Sequence, residues 1–309
     1  MRPLHIGIEG AGKIARDEHI PAIRNSGTFV LAGCTHCEGM DDSIPHFPDL
    51  AAMLDALPEI DAVAVCSPPQ AHYDAACLAL QQRKHVLLEK PPCPTVTQLD
   101  YLAQLAARNE RTLFQSWHLR ESQAVEAAQR WLMTRTIRKG RITWKEDVRR
   151  CHPGQTWLWQ TDGFGVFDAG INALSVLTKI LPDPIFVDTA ELLVPSNCET
   201  PVAAKTLLNV AGCEFSTDFD FRHTGETVWE IEFDTDEGTA CLAAQRNAWI
   251  VDGREVFAAS HNDEYPNLYC RFDRLIRERR SEVDKRPLKL VADIFLVGRH
   301  ISVRPLEVV

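Results

Sequence analysis

The apolar positions of the chain follow two patterns, which change near residue 120. From residue 4 to about 118, the short apolar runs LHIGIE, FVLAGCT, DAVAVCS, HVLLEK and LFQSWH are separated by stretches of helical periodicity, such as DLAAMLDAL and a helix from about Thr95. Continuous apolar strands between helices are typical of a parallel sheet covered on both faces. We therefore predict a doubly wound α/β domain over residues 1–120.

Longer stretches of alternating apolar and polar residues follow this domain. RITWKEDVRR, TAELLVPSN, CEFSTDFDFRH and TVWEIEFDTDEGTACL read as strands, whereas residues 121–134, GVFDAGINALSVLTKIL and KLVADIFLVGRHIS have helical spacing. We predict an α+β domain with a large open, mostly antiparallel sheet over residues 121–309. No Pro/Gly-rich linker separates the two domains, so the boundary depends on the change of pattern alone.

Composition agrees with two domains and excludes some partners. The 309 residues carry a net charge of -10, which opposes nucleic acid and anionic membrane surfaces. No apolar stretch is long enough to span a bilayer, and the N-terminus runs into a strand pattern instead of a signal peptide. We expect a cytoplasmic protein with no nucleic-acid or membrane partner.

The ten cysteines are scattered through predicted strands and helices. Cys34 and Cys37 have CxxC spacing, which could indicate zinc or redox chemistry. No second CxxC exists, and Cys34 falls at a buried strand end. We therefore expect reduced, structural thiols and no metal site.

A glycine-rich turn follows the first predicted strand. Gly10-Ala11-Gly12-Lys13-Ile14-Ala15 contains G-x-G-x-x-A and opens a helix. Small residues in this context allow a tight turn, and the helix N-terminus favours the negative charge of a pyrophosphate. The first domain is therefore predicted to be a Rossmann domain that binds NAD or NADP.

The end of the second strand does not decide between the two cofactors. An acidic residue there would bind the ribose of NAD, and an arginine would bind the phosphate of NADP. The strand instead ends in Thr35 and His36, and His36 fits an ordinary exposed loop histidine as well as a phosphate contact. The sequence therefore allows either NAD or NADP as the cofactor.

Several longer motifs identify a family resemblance that covers the whole chain. Ser67-Pro68-Pro69 with His72, Glu89-Lys90-Pro91-Pro92 and the Gly10 turn resemble the glucose-fructose oxidoreductase, inositol dehydrogenase and MocA family. Within it, the chain is most similar to bacterial D-galactose and L-arabinose 1-dehydrogenases. The strings that carry this closer similarity are Trp117-His118, WKEDVRR from Trp144, HPGQ from His152 and GVFDAGINALS from Gly165.

The resemblance implies that Lys90, in the E-K-P segment, is catalytic; without it, Lys90 would read as a surface lysine after a strand. Family members commonly carry an aspartate followed four residues later by histidine, and here the pair is Asp168 and Asn172. Asparagine is not a base near neutral pH, so proton removal shifts to Asp168 or Lys90. Glu9 is a departure, because relatives have an apolar residue there.

The resemblance also implies the other site residues. His118, Glu146, His152 and Asn172 are expected to bind the substrate, although a solvated strand face for Glu146 and a core position for His118 are the structural alternatives. The expected cofactor-binding set is Gly10, Gly12, Lys13, Ile14, Thr35, His36, Ser67, Pro68, His72, Glu89 and Lys90.

The function implied is oxidation of an aldopyranose, D-galactose, L-arabinose or D-fucose, at C1 to the aldonolactone, by hydride transfer to NAD or NADP. A homodimer is expected, because family members pair through the open sheet. Two alternatives are a non-catalytic sugar sensor of the same fold and an NAD-dependent glycosidase. Retention of Lys90 and Asp168 argues against the sensor.

Overall fold

In the computed structural model, which describes residues 2–37, 43–259 and 263–307, strand β1 (Leu4–Glu9) is central to a parallel sheet. Six strands of the described residues form this sheet, in the order β3-β2-β1-β4-β5-β6. The other strands are β2 (Phe29–Thr35), β3 (His46–Phe47), β4 (Ala62–Val65), β5 (His85–Leu88) and β6 (Leu113–Gln115). This order confirms the doubly wound prediction, and its switch point lies between β1 and β4.

Helices connect these strands, and capping side chains mark the starts of two of them. They are α1 (Ile20–Asn25), after a π-helical turn (Ala15–His19), α2 (Leu50–Ala56), α3 (Pro69–Gln81) and α4 (Val96–Arg108). The Asp49 side chain accepts from the Ala52 amide at the start of α2, and Thr95 forms a capping box with Gln98 at the start of α4. These bonds satisfy amides that have no intrahelical partner.

One helix far along the chain belongs to the parallel-sheet unit. Helix α8 (Glu264–Glu278) lies in the segment Asp263–Lys285, which joins Met1–His118 in one compact unit. Its rings pack against the sheet, with Tyr269 and Phe272 both next to Phe29. The sequence pattern predicts one continuous second domain over residues 121–309, whereas residues 263–285 lie in the first unit. The second unit consists of Leu119–Asn262 and Arg286–Val309.

The second unit contains a mixed, mostly antiparallel sheet, as predicted. Within the described chain it has nine strands, in the order β14-β13-β12-β11-β7-β10-β9-β8-β15, and the pairs β7–β10 and β8–β15 are parallel. The strands are β7 (Ile137–Lys145), β8 (Ile185–Pro195), β9 (Ala203–Val210), β10 (Cys213–Asp220), β11 (Val228–Thr235), β12 (Gly238–Ala243), β13 (Ala248–Val251), β14 (Arg254–Ala258) and β15 (Arg299–Val303).

Three helices pack on one face of this sheet. They are α5 (Gln123–Leu132), α7 (Phe167–Ile180) and α9 (Arg286–Val297). Alternate strand residues point to them, so that Phe215, Thr217 and Phe219 of β10 are buried, while their neighbours are more exposed. Nearly every residue of α7 is buried, which is typical of a helix covered on all sides.

Two predicted strands end earlier than the sequence pattern indicates. RITWKEDVRR stops at Lys145, because the Asp147 carboxylate accepts from the Arg149 amide and caps a short helix, α6 (Val148–Cys151). TVWEIEFDTDEGTACL is a hairpin of β11 and β12, with Gly238 at a φ of 117° in its turn. Glycine adopts such a φ without the steric cost of a Cβ.

Hydrophobic helices of membrane-spanning length do not occur among the described residues.

Candidate functional site

The glycine turn after β1 is built for close approach to another group. Gly10 has a φ of 79°, and a Cβ there would lie 2.4 Å from the Ser67 amide nitrogen, so no larger residue fits. Gly12 differs: a Cβ there would have no heavy atom within 4 Å, and Lys13 and Ile14 beside it are exposed. A turn with open space before its amides fits the pyrophosphate of a dinucleotide.

Thr35 and His36, both predicted to bind the cofactor, have different environments. Thr35 is fully buried and supports the turn: its Oγ1 accepts from the Gly10 amide at 3.0 Å and its carbonyl from the Ala11 amide at 2.9 Å. His36 is exposed, with a φ of 51°. Its Nδ1 lies 3.2 Å from Thr35 Oγ1, so the ring is fixed near the turn that Thr35 holds.

Cys34 and Cys37 enclose these two residues and form a disulfide. The left-handed turn at His36 reverses the chain after β2 and brings the two Cα atoms to 6.2 Å, within the range that a disulfide spans. The expectation of reduced thiols is therefore wrong for this pair. A ring nitrogen of His46 lies with the two sulfurs in one cluster, all within 4.8 Å of one another.

Glu9 and Ser67 meet at the ends of β1 and β4. Ser67 Oγ donates to Glu9 Oε2 at 2.6 Å, and the carboxyl group is largely buried immediately before Gly10. Burial raises the pKa of Glu9, and the Ser67 hydrogen bond and the charge of His36 offset this only in part. A carboxyl group thus lies where a pyrophosphate would bring further negative charge.

Lys90 is the second residue after β5 and is half-buried. The turn that carries it is held on both sides: its own amide donates to Glu89 Oε2 at 2.7 Å, and His72 Nδ1 lies 2.9 Å from the Pro91 carbonyl oxygen. His72, predicted to bind the cofactor, is fully buried, and burial lowers its pKa. His72 therefore acts as a support of the Lys90 turn.

Glu89 is a buried carboxylate with many hydrogen-bond donors. Its Oε1 lies 3.1 Å from His19 Nε2 and accepts from Tyr265 at 3.1 Å and from Ser116 at 3.2 Å. Burial alone would raise the pKa of Glu89, but the His19 hydrogen bond and charge, with His118 and the Lys90 amide, lower it to about 2. Glu89 is therefore an anion at neutral pH.

His118 follows β6 and is oriented by α8. Its Nδ1 lies 2.9 Å from Glu264 Oε2, and its ring stacks on Tyr265 with centroids 5.2 Å apart. These contacts fix the direction of the ring. They place His118 in the first unit, with Lys90.

The second unit brings together Glu146 and His152. Glu146 is buried at the end of β7, where its Oε2 accepts from Trp144 Nε1 at 2.9 Å and its Oε1 lies 2.9 Å from His152 Nε2. The turn capped by Asp147 folds the chain back, which explains why His152 reaches Glu146. Gln155 Oε1 lies 3.2 Å from the other ring nitrogen of His152.

Asp168 and Asn172 lie one turn apart on α7, and both are buried. Asp168 Oδ2 is 3.9 Å from His152 Nδ1, so that His152 lies between two carboxylates. Asn172 Oδ1 is buried without a hydrogen-bond partner in the described structure. A buried amide oxygen without a donor is costly, and a hydroxyl of a polyhydroxylated ligand would satisfy it.

The predicted site residues thus form two sets, one in each unit. The parallel-sheet unit contains the glycine turn, Ser67, Pro68, Glu89, Lys90 and His118, and the second unit contains Glu146, His152, Asp168 and Asn172. Sequence reasoning missed the supporting residues His19, Glu264, Tyr265 and Gln155. The apolar spacing of Tyr265, Leu268, Tyr269, Phe272, Leu275 and Ile276 is a helical signal that could have identified α8.

Comparisons with known proteins agree with this architecture. Residues 4–116 match the model of an oxidoreductase family with an NAD-binding Rossmann fold, named GFO_IDH_MocA. The chain is 41% identical to a galactose 1-dehydrogenase of Pseudomonas fluorescens, over 98% of each protein. A crystal structure of a D-galactose-1-dehydrogenase protein from Rhizobium etli has a TM-score of 0.93 and 42% identity, with 99% of both chains covered. A 3-ketoreductase from Actinomadura kijaniata, at 18% identity and a TM-score of 0.84, shares the fold.

Replacing Glu9 by glutamine should strengthen dinucleotide binding. Glutamine keeps an acceptor for Ser67 and removes a negative charge beside the glycine turn. Because burial raises the pKa of Glu9, a larger share of this carboxyl group is neutral at about pH 5 than at about pH 8. The gain in binding from removing its charge should therefore be larger at about pH 8. We expect NAD to bind Glu9→Gln about 3- to 10-fold more tightly at the higher pH, by fluorescence titration.

The exposed Glu59→Gln change is the matched control and should leave binding unaltered. Weaker binding by Glu9→Gln would mean that the Glu9 carboxylate itself holds the cofactor.

Proposed function

The chain belongs to the GFO_IDH_MocA oxidoreductase family, whose members have an NAD-binding Rossmann fold, and we propose that it is an NAD(P)-dependent aldose 1-dehydrogenase. The substrate is D-galactose, L-arabinose or D-fucose, and the product is the aldonolactone. The observation that carries this proposal is the set of three buried side chains, Glu146, Asp168 and Asn172, with the half-buried His152 between the two carboxylates. These side chains suit the hydroxyl groups of a sugar ring. The similarity to galactose 1-dehydrogenases over nearly the whole length supports it.

The cofactor, when bound, supplies the acceptor for the C1 hydride. Its pyrophosphate would be held by Gly10, Gly12, Lys13 and Ile14, and Ser67, Pro68 and the Glu89–Lys90 turn line the next strand ends. Thr35 and His36 offer neither a carboxylate nor a guanidinium to the ribose, so we propose that NAD and NADP are both used, with NAD modestly favoured.

The protein residues bind the sugar and move one proton. Asp168 accepts the proton of the C1 hydroxyl group, and a ring nitrogen of His152 lies 3.9 Å from its carboxylate. Lys90 stabilises the negative charge that develops on the C1 oxygen. The ring hydroxyls are bound, and C1 is so oriented, by Glu146, His152, Asn172 and His118.

We also propose a cytoplasmic homodimer that pairs through the exposed face of the second sheet. On this face, Lys139 and Arg141 of β7 lie opposite Asp234 and Glu232 of β11. Charges of both signs on neighbouring strands suit contact between two copies, because a twofold axis brings the same surface together. Within the cytoplasm, the Cys34–Cys37 disulfide would be an exception, because a reducing compartment keeps most thiols reduced.

Lys90→Met and Asp168→Asn should each lower turnover by at least about 100-fold, because each removes a positioned charged group. NAD binding should persist in both variants. Steady-state kinetics with galactose and fluorescence titration of NAD measure the two effects. Lys84→Met and the exposed Asp188→Asn are matched controls, and near-normal turnover in either test variant would remove that residue from the mechanism.

A panel of aldoses with NAD and NADP tests the substrate. D-Galactose, D-fucose and L-arabinose share ring stereochemistry from C2 to C4, whereas D-glucose is inverted at C4. Sites that hydrogen-bond a hydroxyl reject a misplaced one by about 10⁴ or more, but distinguish a carbon substituent by only about 10- to 200-fold. Glucose should therefore be by far the poorest of the four in kcat/KM. Equal use of glucose and galactose would contradict this specificity.

The same panel separates a dehydrogenase from the other functions of this fold. A dehydrogenase produces one reduced nicotinamide for each free sugar consumed, as measured by absorbance. A glycosidase returns its cofactor to the oxidised form, and a sensor shows no turnover.

Light scattering should give a particle of twice the 34.7 kDa chain mass at micromolar concentration. Reversing the charge of the exposed face with Lys139→Glu and Arg141→Glu should shift it toward the single-chain mass, because the strands β7 and β11 would then present only negative charge at these positions to the same surface of the other copy. The control Lys84→Glu lies in the other unit. A single-chain mass for the unmodified protein would rule out the homodimer.

A further inference from the structure

We infer that Tyr265 and His19 are positioning residues for Lys90, and that they act through the buried Glu89 carboxylate. The inference rests on the proposed function, because it requires Lys90 to take part in turnover. Neither residue belongs to the motifs from which the site can be identified. Both are contributed by parts of the chain far from residue 90.

The first step is the bond between Glu89 and Lys90. Glu89 Oε2 accepts from the backbone amide of Lys90 at 2.7 Å, so the orientation of this carboxylate determines where the Lys90 backbone lies. The Lys90 side chain begins at that backbone. A rotation of the Glu89 carboxylate would break this hydrogen bond and loosen the turn that positions the ammonium group.

The second step is the set of donors that fix the other carboxylate oxygen. Tyr265 donates to Glu89 Oε1 at 3.1 Å, and His19 Nε2 lies at the same distance. His19 is itself fixed, since its Nδ1 lies 2.8 Å from the Tyr269 hydroxyl and its ring is fully buried. Hydrogen bonds to a buried anion are strong and directional, so these donors prevent the carboxylate from rotating.

The third step explains why α8 contributes these groups. Tyr265 and Tyr269 are four residues apart on α8 and are both fully enclosed, with His19 packed edge-on against each ring. Tyr265 also stacks on His118, whose Nδ1 lies near the adjacent Glu264. One helix turn thereby supports both candidate groups of the parallel-sheet unit, Lys90 and His118.

The direct test is Tyr265→Phe, which removes one donor to Glu89 and keeps the ring that packs against His19 and His118. We expect kcat to fall about tenfold, as for loss of one hydrogen bond to a charged group. KM for galactose, the dissociation constant of NAD and the melting temperature should change little. Tyr101→Phe, on the exposed side of α4, is the matched control.

A double-mutant cycle with Lys90→Met separates positioning from a general loss of structure. If Tyr265 acts through Lys90, Tyr265→Phe should change the residual turnover of Lys90→Met by less than about twofold. A tenfold loss in both backgrounds would overturn the inference. Glu89→Gln, which removes the charge and keeps an acceptor for the Lys90 amide, should behave like Tyr265→Phe with a larger loss.

A second readout does not depend on turnover. Reductive ¹³C-methylation labels lysine side chains, and the Lys90 signal is the NMR signal that Lys90→Met lacks. Tyr265→Phe should shift or broaden this signal in the protein without sugar, and Tyr101→Phe should not. An unchanged Lys90 signal would overturn the positioning role, whereas an unchanged turnover in Lys90→Met would instead contradict the proposed function.

Discussion

A single buried anion, the Glu89 carboxylate, organises the parallel-sheet unit. An unpaired charge in that position would be strongly destabilising, so its four donors from different parts of the chain are obligatory. They come from the π-helical turn, the residue after β6, α8 and the Lys90 amide. The requirement to satisfy one carboxylate therefore brings residues 19, 116 and 265 together beside the residue proposed to act in catalysis.

The second unit also has buried polar side chains that need hydrogen-bond partners, and two of them lie on one helix. Helix α7 is buried on nearly all sides, yet it carries Asp168 and Asn172 in its first turns. Asp168 lies near His152, which Glu146 holds from the other side. Asn172 has an amide oxygen that no donor of the described residues reaches. Polar groups on a helix that otherwise packs as core are expected where a ligand completes their hydrogen bonds.

Much of the fold could be predicted from the sequence, because it depends on local patterns. Apolar runs separated by helical periods predict the parallel sheet, and the glycine turn between β1 and α1 predicts dinucleotide binding. The identity of Lys90 and Asp168 as candidates came from the family resemblance, since neither charge, burial nor spacing distinguishes them in the sequence. Their roles stay predictions, as do those of His118, Glu146, His152 and Asn172.

The residues that support the site could not be predicted in the same way. Residues 263–285 return to the first unit, where Tyr265 bonds Glu89 across 176 positions of sequence, and no local pattern encodes that contact. Likewise, only the left-handed turn at His36 brings Cys34 to Cys37. The sequence by itself determined the alternation of strands and helices in the first unit and the change to a mostly antiparallel sheet, because these follow from the periodicity of apolar residues. Only the tertiary structure decided which buried polar groups are partners, because a hydrogen bond depends on distances of about 3 Å between atoms that the chain can bring together from anywhere.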